Sequence, residues 1–270
     1  METLVSLISG LPPVTPQNIY IYAAVGGFLP PLVWLTFFLQ QDKKNPEPKR
    51  VIIGSFLFGV LSAVFAVPFQ GFFLNTFPGA GLILGIVIFA LIEELSKYFS
   101  VRFSALNDVA NDEAIDPIIY MLTAAIGFAA MENTLYFIDY LNNFDLVNAT
   151  LERGKRFFGS TLLHVLSSIF VGISLSLSHE KRKKWRPLLL PIGIVSATAL
   201  HALFNIFVTG NSSQPVIMAF VLVWVVLIAT LVGLEFVKDY VGRILKEREA
   251  QEKKEEGRII MRYGNPFEAE

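Results

Sequence analysis

Seven stretches of about twenty mostly apolar residues constrain this chain more than anything else in it. The hydrocarbon core of a bilayer is roughly 30 Å thick, and a helix rising 1.5 Å per residue crosses it in about 20 residues. The segments 19–39, 51–70, 81–101, 117–138, 157–178, 187–208 and 215–237 have that length. The predicted fold class is therefore all-α, a polytopic transmembrane helix bundle of about seven spans. Composition agrees, with 53% hydrophobic and 17% charged residues and a mean hydropathy of +0.55. The third segment is interrupted by Glu93, Glu94 and Lys97, and the fourth carries Glu132.

Orientation follows from the basic residues, because positively charged loops stay cytoplasmic. With alternating spans, nineteen of the 22 Lys and Arg fall on one side, and only Arg153, Lys155 and Arg156 fall on the other. This predicts an outside N-terminus and a cytoplasmic C-terminus. The first eighteen residues contain Glu2 and no Lys or Arg, so they lack the basic start of a secretory signal, and the first apolar segment is expected to remain as a span. Two regions result, a bundle at 1–237 and a charged cytoplasmic tail at 238–270. The tail from Phe236 to Arg262 has Lys and Glu at helical spacing and reads as a solvated helix. The outer loops Gln70–Ala80 and Thr209–Gln214 are short and uncharged, whereas Asp139–Arg156 is long enough for a lip over the bundle. No internal repeat supports an inverted-repeat transporter.

Cysteine is absent, which excludes disulfides, thiolate metal sites and a cysteine nucleophile. No basic stretch with interleaved aromatics supports nucleic-acid binding. The expected surroundings are a lipid bilayer.

Ionisable residues at hydrocarbon depth cost roughly 2.5–3.5 kcal/mol each on insertion scales, so they tend to face the bundle interior and to serve a function. Four successive spans carry them: Glu93-Glu94-Leu95-Ser96-Lys97, Glu132-Asn133, His164-Val165-Leu166-Ser167-Ser168, and His201-Ala202-Leu203-Phe204-Asn205. Residues four apart share a helix face while neighbours diverge by about 100°. His201 therefore looks into the same space as Asn205, and His164 into the same space as Ser168. Glu93 and Glu94 cannot both aim at one point, so one should enter the pocket and the other pair with Lys97. Counted from the outer ends, Glu132, His164 and His201 lie roughly 10 Å deep, with the glutamate pair at the floor. Glu132-Asn133 also reads as a polar knot between helices. Asp116-Pro117 reads as an N-cap followed by proline in the first turn.

A buried carboxylate beside an imidazole is suited to taking a proton from water, and amide hydrolysis needs donors for the developing oxyanion. The set reads as a water-activating glutamate with His164 and an oxyanion clamp from His201 and Asn205. Lys97, Glu132, Asn133 and Ser168 support it, and no metal or cofactor is assigned. The HExxH zinc motif, a Gly-x-Ser-Gly elbow and an aspartate pair within the spans are all absent. Two alternatives stay open. Two histidines with two or three carboxylates are a plausible ligand set for zinc or iron, although the ferritin-like Glu-x-x-His repeat is missing. The same cluster also suits a proton- or cation-coupled transporter.

These residues resemble the PrsW-type proteases, within the wider glutamate-dependent intramembrane and CAAX prenyl-protease-like group. The resemblance rests on Glu93-Glu94-x-x-Lys97, on Asp116 and Ile118-Ile119-Tyr120 leading to Gly127-Phe128-x-x-x-Glu132-Asn133, and on His164-x-x-x-Ser168 and His201-x-x-x-Asn205. It covers residues 93–205. It implies proteolysis of a membrane-anchored protein of the anti-sigma-factor kind from the outer side of a bacterial cytoplasmic membrane. It also implies that Glu93, Glu94 and His164 activate water while His201 and Asn205 bind the oxyanion. The prenyl-protease relatives place a phenylalanine four residues before the first histidine, where this chain has Ser160, a departure that favours the PrsW branch.

Overall fold

The computed structural model describes residues 15–40, 46–141, 146–180, 186–209, 217–230, 232–233 and 250–251. Every regular element among them is a helix: α1 (Ile19–Leu39), α2 (Lys49–Thr76), α3 (Leu82–Ser104), α4 (Asp116–Leu141), α5 (Leu146–Glu180), α6 (Arg186–Thr209) and α7 (Ile217–Thr230). Helices satisfy all their backbone hydrogen bonds internally, which is what a lipid environment demands. Five of them carry spans long and apolar enough to cross a membrane, at Ile19–Leu39, Lys49–Thr76, Asp116–Asp139, Gly159–Ser178 and Pro187–Thr209. The protein is an integral multi-pass membrane protein. Helix α3 is long enough as well, but Glu93, Glu94 and Lys97 interrupt its apolar face, and all three are buried.

Several loops expected from the sequence are helical. Helix α2 continues to Thr76, which takes Gln70 out of the predicted loop, and α5 begins at Leu146, so most of the expected lip at Asp139–Arg156 is helix. Apolar runs underestimate helix length because a helix persists past the point where its sequence turns polar, as it does at Asn75-Thr76. Gly81, with φ of 75°, breaks the chain between α2 and α3, a conformation that costs a residue with a Cβ. The charged tail at 238–270 lies outside the described residues except for 250–251.

The chain divides into two units, Met1–Val223 and Trp224–Glu270. The first holds the bundle. Within it α4 packs on α1, α2 and α5, α5 packs on α6, and α3 closes the ring by packing on α2 and α6. About 78% of the α4 span is buried in protein, against 17% for α1, so α4 is central and α1 faces outward. Small residues let the central helices approach: a Cβ on Gly59 of α2 would lie 2.1 Å from the Ala124 carbonyl oxygen, and one on Gly127 of α4 would lie 2.1 Å from that of Phe56.

At the opposite end from Gly81, Arg50 forms a fork of 2.6 and 2.7 Å hydrogen bonds to Asp108, and these hold the Asp108 carboxyl below the usual carboxylate range. Asp116 is structural, as its position predicts, but not as an N-cap. Its carboxylate turns back to accept the Asp112 and Glu113 N–H groups, because the Ile118 and Ile119 N–H groups are already satisfied by the Ile115 carbonyl. The Tyr120 hydroxyl, one turn on, bonds to Glu47 and lies 3.1 Å from the Ala110 carbonyl.

Candidate active site

The ring of helices brings Glu93 and Glu94 from α3, Glu132 from α4, His164 from α5 and His201 from α6 to one place. The two imidazoles meet edge to face at 4.9 Å between centroids. The glutamate pair divides as helical geometry requires. Glu94 pairs with Lys97 at 2.6 Å, both completely buried, while Glu93 faces a cavity of about 470 Å³. That cavity is also lined by Gln70, Phe89, Phe128, Glu132, Asn133, His164, His201 and Asn205. It lies towards the end of the bundle where α2 meets α3, and Glu93, about eleven residues into α3, is roughly 16 Å from that end.

The hydrogen bonds assign a direction to each proton. Glu94 is saturated with donors: Oε1 accepts from Lys97 Nζ at 2.6 Å, Ser167 Oγ at 2.8 Å and His201 Nδ1 at 2.8 Å, and Oε2 accepts from Ser168 Oγ at 3.4 Å. Because Glu94 accepts, His201 carries its proton on Nδ1, which leaves the Nε2 lone pair pointing away from Glu94. The Lys97 ammonium has only donors, so at 3.2 Å it bonds to the lone pair of His164 Nδ1. His164 then carries its proton on Nε2 and donates it to Glu132 Oε2 at 2.7 Å. Lys97 also sits 5.3 Å from the centre of the Phe128 ring.

Glu93 differs from its neighbour. Oε1 accepts from Gln70 Nε2 at 2.9 Å, while Oε2 is buried with no hydrogen-bond partner and stands 3.4 Å from His201 Nε2. Two acceptors thus face each other at the inner end of the cavity. A buried polar atom left unsatisfied costs about 1–3 kcal/mol, so either a proton shared by the two atoms or a water or cation bound to both from the cavity side would satisfy them.

Each residue singled out in the sequence therefore has a place. Glu93, His164 and His201 converge, with Glu94 and Lys97 directly behind them. Ser168 reaches Glu94 at the edge of hydrogen-bonding distance, and Asn133 donates to Thr161 at 3.3 Å. Asn205 lines the cavity, half-buried. Glu132, which also reads as an interhelical knot, lies in the site itself against His164 and 19% exposed to the cavity. Gln70 was not anticipated. Its only signal in the sequence is an amide at the junction of the 51–70 span with the stretch taken as loop. Ser167, the better-placed serine on Glu94, is masked by its neighbour Ser168 at the i+4 position from His164.

Glu93, His164 and His201 each offer a ligand atom within 4.8 Å of the others. The unpartnered Glu93 Oε2 and a His201 Nε2 backed through Nδ1 by a carboxylate suit a divalent cation. His164 joins such a set once its Nε2 proton has gone to Glu132.

A multi-pass helical bundle that buries carboxylates and imidazoles at the floor of a cavity holds the groups that an intramembrane hydrolase requires. The family model of the PrsW family intramembrane metalloprotease matches residues 47–231. The chain belongs to this family. It is 26% identical over 189 residues to Protease PrsW of Bacillus subtilis (strain 168), covering 69% of this chain and 83% of that protein. It is 30% identical over 175 residues to Protease PrsW of Geobacillus kaustophilus (strain HTA426), covering 61% and 72%. Protease PrsW of Oceanobacillus iheyensis is 25% identical over 203 residues, covering 74% and 90%. No solved structure matches the chain.

Proposed function

We propose that the chain hydrolyses a peptide bond of a membrane-anchored protein, of the anti-sigma-factor kind that the family resemblance implies, with Glu93 as the base. The observation that carries this is Glu93 Oε2, buried without a hydrogen-bond partner and 3.4 Å from His201 Nε2 at the cavity floor. One water donating to both would hold its lone pair towards the cavity. Glu93 takes its proton as the oxygen attacks the carbonyl carbon. Glu94 cannot share this task, because every donor around it is already committed to it. Its part is to fix His201 and Lys97, and Lys97 in turn fixes the tautomer of His164. Glu93 then gives that proton to the leaving amine as the carbonyl reforms and the C–N bond breaks, which restores its carboxylate, while His164 stays neutral with its Nε2 proton on Glu132.

A divalent cation, as the family's description suggests, would be held by Glu93, His164 and His201. It would polarise water or the substrate carbonyl as a Lewis acid. The residue roles can be tested without assuming it. In proteoliposomes carrying the native substrate, Glu93→Gln is expected to abolish cleavage and His164→Ala to reduce it by at least about 10²-fold. Wild-type rates in both variants, with folding intact, would sink the proposal. Elemental analysis of the same preparations, with one zinc or iron per chain in wild type and none in His201→Ala, would establish the metal-bound form.

A further inference from the structure

Hydrolysis requires donors at the carbonyl oxygen as well as a base at the water, and few groups around this cavity remain free to donate. His201 cannot serve while its one proton is committed to Glu94. The His164 proton is committed to Glu132, and an amide proton of Asn133 to Thr161. Three amides lining the cavity keep donors in reserve: Asn205 on α6, Asn133 on α4 with its second N–H, and Gln70 on α2, whose Nε2 spends one N–H on Glu93 Oε1 and has a second.

Gln70 stands where the chemistry needs it. Its Nε2 is 2.9 Å from Glu93 Oε1, whose partner oxygen stands 3.4 Å from His201 Nε2, and its second N–H is uncommitted. A carbonyl whose carbon is attacked by water at Glu93 Oε2 has its oxygen within reach of that N–H. Helix α2 can hold the amide there because it continues past Gln70 to Thr76, and Gln70 is half-buried where the neighbouring Phe69 and Phe72 are exposed. We infer that Gln70 is a further catalytic residue of this protease, which orients Glu93 with one amide N–H and donates the other to the substrate's carbonyl oxygen as it becomes an oxyanion. Asn205, which lines the same cavity, would be the second donor. This rests on Glu93 being the base.

The full-length protein in liposomes is assayed with a lipid-anchored, internally quenched peptide library, and binding is measured with peptide aldehydes on the same anchor, whose hydrates resemble the tetrahedral intermediate. Gln70→Met preserves length and apolar fit on α2. It is expected to lower kcat by about 10²–10³-fold, the loss typical of a single oxyanion donor, with KM within about twofold. Aldehyde affinity is expected to fall in parallel, and Gln70→Asn should recover part of both. Loss of kcat with unchanged aldehyde affinity would overturn the donor role and leave Gln70 as a positioning residue. Gln70→Met at wild-type kcat beside an inactive Glu93→Gln would overturn the inference alone. Wild-type kcat in Glu93→Gln would overturn the inference together with the site beneath it.

Discussion

A lysine with no exposed surface, in a protein interior that faces lipid, would be costly were it not matched group for group. Lys97 is offset by Glu94 at 2.6 Å and stands beside a lone pair of His164 and the face of Phe128. Removing one member of a buried ion pair strands the other and typically costs 3–5 kcal/mol, whereas replacing both is far milder. Lys97→Met should therefore lower the thermal unfolding midpoint in detergent severely, and Glu94→Gln/Lys97→Met should recover much of the loss. The double variant should nevertheless be inactive, because His201 and His164 lose the partners that set their tautomers. A fully stable Lys97→Met protein would show that the pair does not hold the site. The Glu-Glu-x-x-Lys spacing made one glutamate's pairing with Lys97 legible in the sequence. Which glutamate it was depended on the packing of α5 and α6 around α3, since Ser167 and His201 complete the shell around Glu94.

Helices α2 and α4, which frame the site, come unusually close. Gly59 and Gly127 sit where α2 and α4 touch backbone to side, and a methyl group at either would meet a carbonyl oxygen at 2.1 Å. Gly59→Ala and Gly127→Ala should each destabilise the bundle by about 1–3 kcal/mol or more, the usual range for overpacking, with the helices forced apart. Gly85→Ala on α3, where nothing lies within 4 Å, should leave the midpoint unchanged. Equal midpoints for all three would mean that the close approach carries no energetic weight. At this scale the sequence supplied helix existence and order well, from apolar length alone. It misjudged the ends, most visibly at Gln70 and Leu146, because helix ends reflect local capping and packing more than hydropathy.

For the whole molecule, we propose that the cavity opens to the non-cytoplasmic side, as the distribution of Lys and Arg predicts. Native cysteine is absent, so single-cysteine variants report sidedness directly. Gly79→Cys, between α2 and α3, should react with an impermeant maleimide added to intact cells, and Asn107→Cys, between α3 and α4, only after lysis. The reverse pattern would invert the protein and place the cavity on the cytoplasmic side. Apolar length and charge placement determined on their own that the chain is a helical membrane protein, and the cost of burying ionisable groups in lipid determined that four spans converge on a function. Those are one-dimensional properties, since each follows from what a segment's own residues do in water or hydrocarbon. The division of labour between Glu93 and Glu94, the entry of Glu132 into the site and the arrival of Gln70 beside Glu93 were decided only by tertiary structure. Each is a matter of which donor reaches which oxygen across helices tens of residues apart, and local sequence spacing carries no record of that.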